Sequence, residues 1–138
     1  MVIALRLLGM LWVLPAAIPV WVVYLLPAWA LGWLRLDGSP RFGVARFRVV
    51  FERHDICGRR HAWAWAGWGG LALPCAIVLA ADGPVTELHE LRHADQWLVF
   101  GPTFPFVYGA LLLLYGYRRH PLEHDASDWA MAQLDNGR

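Results

Sequence analysis

Apolar residues in this chain gather into long uncharged blocks divided by short polar ones, a pattern that departs from both the strict alternation of a half-buried sheet and the single stripe of a surface helix. The first block runs from Leu7 to Leu34 with no charged residue in its 28 positions. As a helix it would be about 42 Å long, against roughly 30 Å for the hydrocarbon core of a bilayer. Pro15, Pro19 and Pro27 interrupt it. Two forms fit: one kinked and tilted span, or a re-entrant hairpin whose limbs of about 20 Å are each too short to cross. Arg6 followed by an apolar run and Ala28-Trp29-Ala30 imitates a signal peptide, but the run is too long for one.

Behind this block, residues 35 to 60 alternate charge with apolar side chains. Arg46, Arg48 and Arg53 interleave with Phe47, Val49 and Phe51, the period of a strand with one solvated face. From Ala62 to Ala81 the charges vanish again. Trp63 and Trp65 alternate with alanine, several glycines follow, and Leu71 to Ala80 reads as one buried strand. Asp82-Gly83-Pro84 then marks a helix start, with Asp82 as a candidate cap and Pro84 in the first turn. That helix runs to Phe100 and stops at Gly101-Pro102. A second apolar helix is expected from about Phe106 to Tyr117, carrying Tyr108, Tyr115 and Tyr117 as an interfacial or membrane-embedded element. Pro121 opens a short C-terminal helix. The expected fold is therefore an α+β membrane protein of one domain over residues 1–138. Residues 1–34 form its membrane segment, residues 35–81 a small sheet, and residues 82–138 a set of helices.

Composition sharpens the membrane reading. The chain is 58% hydrophobic and only 17% charged, with nine Trp, a balance too apolar for a soluble domain of this size. Net charge is +1, but seven Arg fall within residues 35–60 against Asp37, Glu52 and Asp55, whereas residues 82–95 hold four acids against Arg92. Arginines directly behind an apolar segment place that side in the cytoplasm, so the expected location is a bacterial cytoplasmic membrane with the polar part facing inward. The alternation of the arginines with apolar residues argues for a strand and against a nucleic-acid surface. Cys57 and Cys75 lack CxxC spacing, and in a chamber facing the cytosol they are expected as free thiols.

One stretch names a chemistry. His89-Glu90-Leu91-Arg92-His93 is HExxH, and residues four apart on a helix stand one turn on and only about 40° round the axis, so His89 and His93 face one metal side by side. Glu90 then sits beside the metal's remaining position, as a general base and not as a ligand. With six His in 138 residues, this pattern would arise by chance in roughly 0.007 of such chains. The bland alternative is a pair of helix-face histidines beside a solvated glutamate. For a third ligand the donor-rich segment His120-Pro121-Leu122-Glu123-His124-Asp125 offers Glu123, which Pro121 places in the first turn of a helix. Its alternative role is that of an ordinary acid at the positive end of a helix dipole. Gln96, three residues beyond His93 and near the same face, could hydrogen-bond a ligand or bind substrate backbone, or merely bridge helices. Tyr108 or His124 could donate to an oxyanion, and aromatic packing is the simpler reading of Tyr108.

These residues together resemble a family of small bacterial membrane proteins with a zincin-type site. The resemblance rests on His89-Glu90-x-x-His93, on Gln96 and Trp97, on Gly101-Pro102-x-Phe104-Pro105, on Tyr108, and on Pro121-Leu122-Glu123-x-Asp125-Ala126, and it extends to the layout of segments. The family's terminal element reads Asn-Pro-Phe-Glu-Arg-Glu-Ala. This chain departs from it at His120, Leu122 and Asp125, which leaves Glu123 in register but opens the question of whether His120 or His124 shares in coordination. A gluzincin-like metallopeptidase is what the resemblance implies.

The expected function is thus a membrane-embedded zinc hydrolase, most simply a peptidase acting on a peptide or protein, with the bilayer as its other partner and no nucleic acid. Two rivals stand beside it. A non-catalytic metal-binding or scaffold protein would close the same ligands around the ion. A two-metal membrane oxygenase would use both HxxxH pairs, His89/His93 and His120/His124, but six His fall short of its usual complement and Pro121 breaks the second pair's helical register.

Overall fold

A computed structural model describes residues 2–38, 40, 43–50 and 68–136. Arg53, Cys57, Trp63 and Trp65, named above, lie outside the described residues. The N-terminal block forms one continuous helical rod and not a re-entrant hairpin. It comprises α1 (Val2–Val20), a π-helical turn (Trp21–Leu25) and α2 (Leu26–Ala30). The wide turn falls just before Pro27, which has no N–H to offer the preceding turn, and Leu26 N–H bonds back to the Trp21 carbonyl instead.

Among the described residues four strands follow: β1 (Leu34–Leu36), β2 (Ala45–Val49), β3 (Gly70–Leu73) and β4 (Ala76–Leu79), in the spatial order β1-β2-β4-β3. β2 and β4 are parallel, and the two outer pairs are antiparallel. The single strand expected over 71–80 is a hairpin. Pro74 and Cys75 make a two-residue turn, with Cys75 at φ 59°. The turn is hidden in sequence because both strands stay apolar across it, and β4 is buried at all four positions.

Burial on both sides follows from helices on both faces. Ala76 and Val78 meet Leu25 and Ala28 of the N-terminal rod, together with Leu34, Phe47 and Val49. Ile77 and Leu79 meet Leu88, Leu91 and Ala94 of α3 (Pro84–Phe100) and Ala130 of α5 (Pro121–Asn136). Between those helices, a 3-10 turn (Gly101–Thr103) leads into α4 (Phe104–Tyr115), and a second one (Tyr117–Arg119) leads out.

Two further expectations need correction. Asp82 does not cap α3: the cap is Gly83, without a side-chain bond, and Asp82 pairs with Arg48. Nor do the arginines of β2 face open water. Arg48 also binds Asp37 at 2.7 Å, and Arg46 reaches Glu87 of α3 at 3.3 Å, so acids supplied by the neighbouring elements hold them over the sheet.

Two helical stretches, Arg6–Ala30 and Pro84–Tyr115, have the length and apolar composition to cross a membrane. The second is folded on itself. At Gly101-Pro102 the chain turns back, so that Phe104 packs on Trp97 with ring centroids 4.8 Å apart and Tyr108 lies beside His93 at 6.3 Å. The outward faces are apolar and bare: Leu8 is 62% exposed, Leu11 64%, Phe106 77% and Leu113 89%. Between α1 and α3 runs a groove of about 580 Å³ along Leu8, Gly9, Trp12, Leu98 and Val99, closed at one end by the Arg6–Asp95 pair at 3.0 Å. It belongs to this apolar surface and not to the site described next.

Candidate metal centre

Helical spacing sets the first two donors. His89 and His93 stand on one face of α3 with ring centroids 4.7 Å apart and their Nε2 atoms 3.0 Å apart. α5 brings the third. It packs antiparallel on α3, and Ala126 and Ala130, both fully buried, let the two backbones approach. Pro121 begins this helix, and Glu123, in its first turn, points into the gap. Its Oε2 lies 3.3 Å from His89 Nε2 and its Oε1 3.2 Å from His93 Nε2.

These separations suit a metal. Ligands about 2.0–2.2 Å from a tetrahedral zinc sit about 3.3–3.6 Å from one another, and with one donor atom taken from each residue the His89, His93 and Glu123 atoms lie within 4.8 Å of one another. Two imidazoles and one carboxylate are also donors that zinc accepts, and they leave the fourth position free for water.

The surrounding bonds orient the donors. Gln96 Nε2 donates to the Leu122 carbonyl at 3.2 Å and to Asp125 Oδ2 at 2.8 Å, so its Oε1 must face His93. His93 Nδ1–H donates to that oxygen at 2.7 Å, which leaves the lone pair on Nε2 toward the cluster. Ser127 Oγ lies 3.4 Å from His89 Nδ1. Tyr108 donates its hydroxyl to Glu123 Oε1 at 2.6 Å. Burial works to raise the Glu123 carboxyl, but the proximity of the His89 and His93 rings and the hydrogen bond from Tyr108 outweigh it and hold the group well below the usual carboxylate range. Glu123 is therefore an anion at neutral pH, as a ligand must be.

Glu90 is buried, 8% exposed, and lies within electrostatic reach of His93, His89 and Glu123 while its side chain rests against β3. Of the other residues singled out in the sequence, Gln96 and Tyr108 touch donors of the cluster. His124 does not: its Nε2–H donates to the Arg118 carbonyl at 3.0 Å on an exposed surface. His120 is fully buried, bonds the Tyr108 carbonyl at 3.0 Å and packs its ring 4.2 Å from that of Tyr108. It stands behind the site and not in it. The Tyr108 hydroxyl is engaged with Glu123, so this residue holds a donor in place where the sequence suggested an oxyanion contact.

Several participants escaped the sequence reading. Ser127 follows Glu123 by four residues and could have been found by the same spacing that pairs the histidines. Asp125 was noted only as a rival donor, yet it anchors Gln96 and accepts from Arg92. Tyr117, which the pattern places at an interface, also neighbours Glu123; its phenol is pushed up by burial and then by that carboxylate. Compared with protein-family models, with curated proteins and with solved structures, the chain matches none.

Proposed function

We propose that this protein is a membrane-embedded, zinc-dependent hydrolase, a metallopeptidase, in which His89, His93 and Glu123 hold the metal and Glu90 is the general base. The observation that carries the reading is the convergence of His89 Nε2, His93 Nε2 and a Glu123 carboxylate to within 3.0–3.3 Å, out of segments thirty residues apart. A bound zinc would bring the pKa of its water to near 7. Glu90, adjacent to the ligands but outside them, would be the group to accept a proton from such a water and return it to the departing amine. Gln96 fixes the tautomer of His93, and Tyr108 fixes the rotamer of Glu123.

Three protein donors beside a buried carboxylate favour this reading over a closed structural site, which takes four protein ligands. A two-metal oxygenase loses support because His120 and His124 bond main-chain carbonyls. The apolar faces of α1 and α4 support a bilayer as the surroundings. The arginines behind the first apolar segment support a bacterial cytoplasmic membrane with the site on its inner side. The substrate we assign is a peptide or protein.

Metal analysis of the detergent-purified chain tests the centre. About one zinc per chain is expected, falling to near zero in His89→Ala, His93→Ala and Glu123→Ala, because each removes one of three ligands. Full zinc retention in those variants refutes the assignment.

A further inference from the structure

β3 is the edge strand beside α3, and Gly70 and Ala72 lie on its α3 face, opposite Leu79 and Ile77. Glycine weakens a strand, so a buried one in this position calls for a reason. Backbone conformation is not the reason, because Gly70 is absent from the residues with positive φ. Space is. A Cβ on residue 70 would meet Glu90 Cγ at 2.5 Å and its Cδ and Oε1 at 2.8 Å. Adjacent Gly69 differs, since its Cβ would meet Thr86 and Ala81 at 3.1 and 3.4 Å.

We propose that Gly70 is a positioning residue: the space left by its missing side chain is the seat of Glu90 beside the His89–His93–Glu123 cluster. The seat has a chemical purpose under the hydrolase reading, on which this part rests. A glutamate next to a metal site can swing on its flexible stem and become a fourth ligand, which would fill the position that water needs. Seated against β3, the carboxylate stays close enough to exchange a proton and is kept from ligating. The steric fit itself is independent of any metal.

The experiment uses the full chain in detergent, with Gly70→Ala and Glu90→Ala made singly and together. Thermal midpoint, zinc content and the infrared carboxylate band assigned to Glu90 by difference from Glu90→Gln are measured for each. With Glu90 present, Gly70→Ala should lower the midpoint by about 3–6 °C and move the band, while zinc stays at one per chain. With Glu90→Ala, the same change should cost nothing, since alanine suits a strand better than glycine. Should Gly70→Ala fail to fold alone, recovery of folding in the double variant gives the same answer. An unmoved band, or an equal loss of stability in both backgrounds, overturns the proposal. A wild-type chain that binds no zinc sinks the hydrolase reading alone, and the stability comparison still decides on the seat.

Discussion

Asp125 accepts both arms of the Arg92 guanidinium, at 2.8 Å from Nε and 3.0 Å from Nη2, and so pins α5 to α3 one turn from the metal donors. The same carboxylate receives Gln96 Nε2, which turns the other end of that amide toward His93. Replacing Asp125 with alanine leaves the Leu122 carbonyl as the acceptor still holding that amide, and so loosens the contact that selects the His93 tautomer. Zinc affinity is expected to fall by roughly 10-fold, and by a similar factor in Gln96→Ala; competition with a metallochromic chelator measures both. Affinities unchanged within a factor of two in both variants would mean that the network does not orient the ligand.

The Arg92 pairing also fixes a pH dependence. Bonding to Arg92 holds the Asp125 carboxyl below its ordinary range in the folded chain. A carboxyl lowered on folding contributes stability that is fully present above its unfolded pKa of about 3.9 and is lost as pH falls through the lower folded value. Thermal midpoints from pH 7 to pH 3 should therefore be flat above about pH 5 and decline on the acid side. Asp125→Asn should be less stable at pH 7 and show a shallower acid decline, whereas parallel curves would assign the acid sensitivity to other groups.

Glu90→Gln keeps the size of the side chain and removes its ability to take a proton. Zinc should remain at the wild-type level while any peptide hydrolysis drops by at least ~100-fold. Turnover of a quenched-fluorescence peptide library in proteoliposomes, before and after the substitution, is the measurement. Equal rates would exclude Glu90 as the base.

At the turn between α3 and α4, Gly101 has φ 58°, and a Cβ there would run into the Trp12 indole of α1. Gly101→Ala thus meets both backbone strain and a clash, together about 1–3 kcal/mol. Because the contact joins the N-terminal rod to α3, the loss should appear as easier detachment of α1. Trp12 fluorescence would shift at lower denaturant than the remainder of the chain, and a single coincident transition would argue against it.

Carbonate washing should leave the chain in the membrane fraction. Its exposed residues Leu8, Leu11, Phe106 and Leu113 on two separate helices give it an apolar surface that water does not tolerate. Release by carbonate would show that this face is covered by protein and not by lipid.

Local signals carried the sequence reading a long way where one residue dictates the backbone. Pro84 and Gly101 bracket α3 at the expected ends, Pro121 starts α5, and the i to i+4 spacing of His89 and His93 required nothing beyond helical geometry. Glu123 came into view through Pro121 and stands where the donors converge. The losses arise where surroundings outside the local pattern decide. Arg46 and Arg48 were taken for a wet face because Glu87 and Asp82, which neutralise them, belong to another element. The β3–β4 turn at Pro74-Cys75 was missed because helices cover both faces and remove the polar alternation that usually betrays a hairpin. His124 attracted interest by its residue type, but its neighbour Arg118 supplies a carbonyl within reach.

Glu123 and His93 are separated by the whole of α4 and both short turns, so an ion shared between them would act as a clasp on the last third of the molecule. Closing so long a loop is entropically costly for an empty site and far easier once three ligands share one ion. Strip the zinc with a chelator and α5 should loosen from α3, with the exposed Tyr117–Arg119 link becoming the first place a protease cuts. Metal supply would then set the lifetime of the protein as well as its reactivity, since a chain that never acquired its ion would carry an open tail that marks it for destruction.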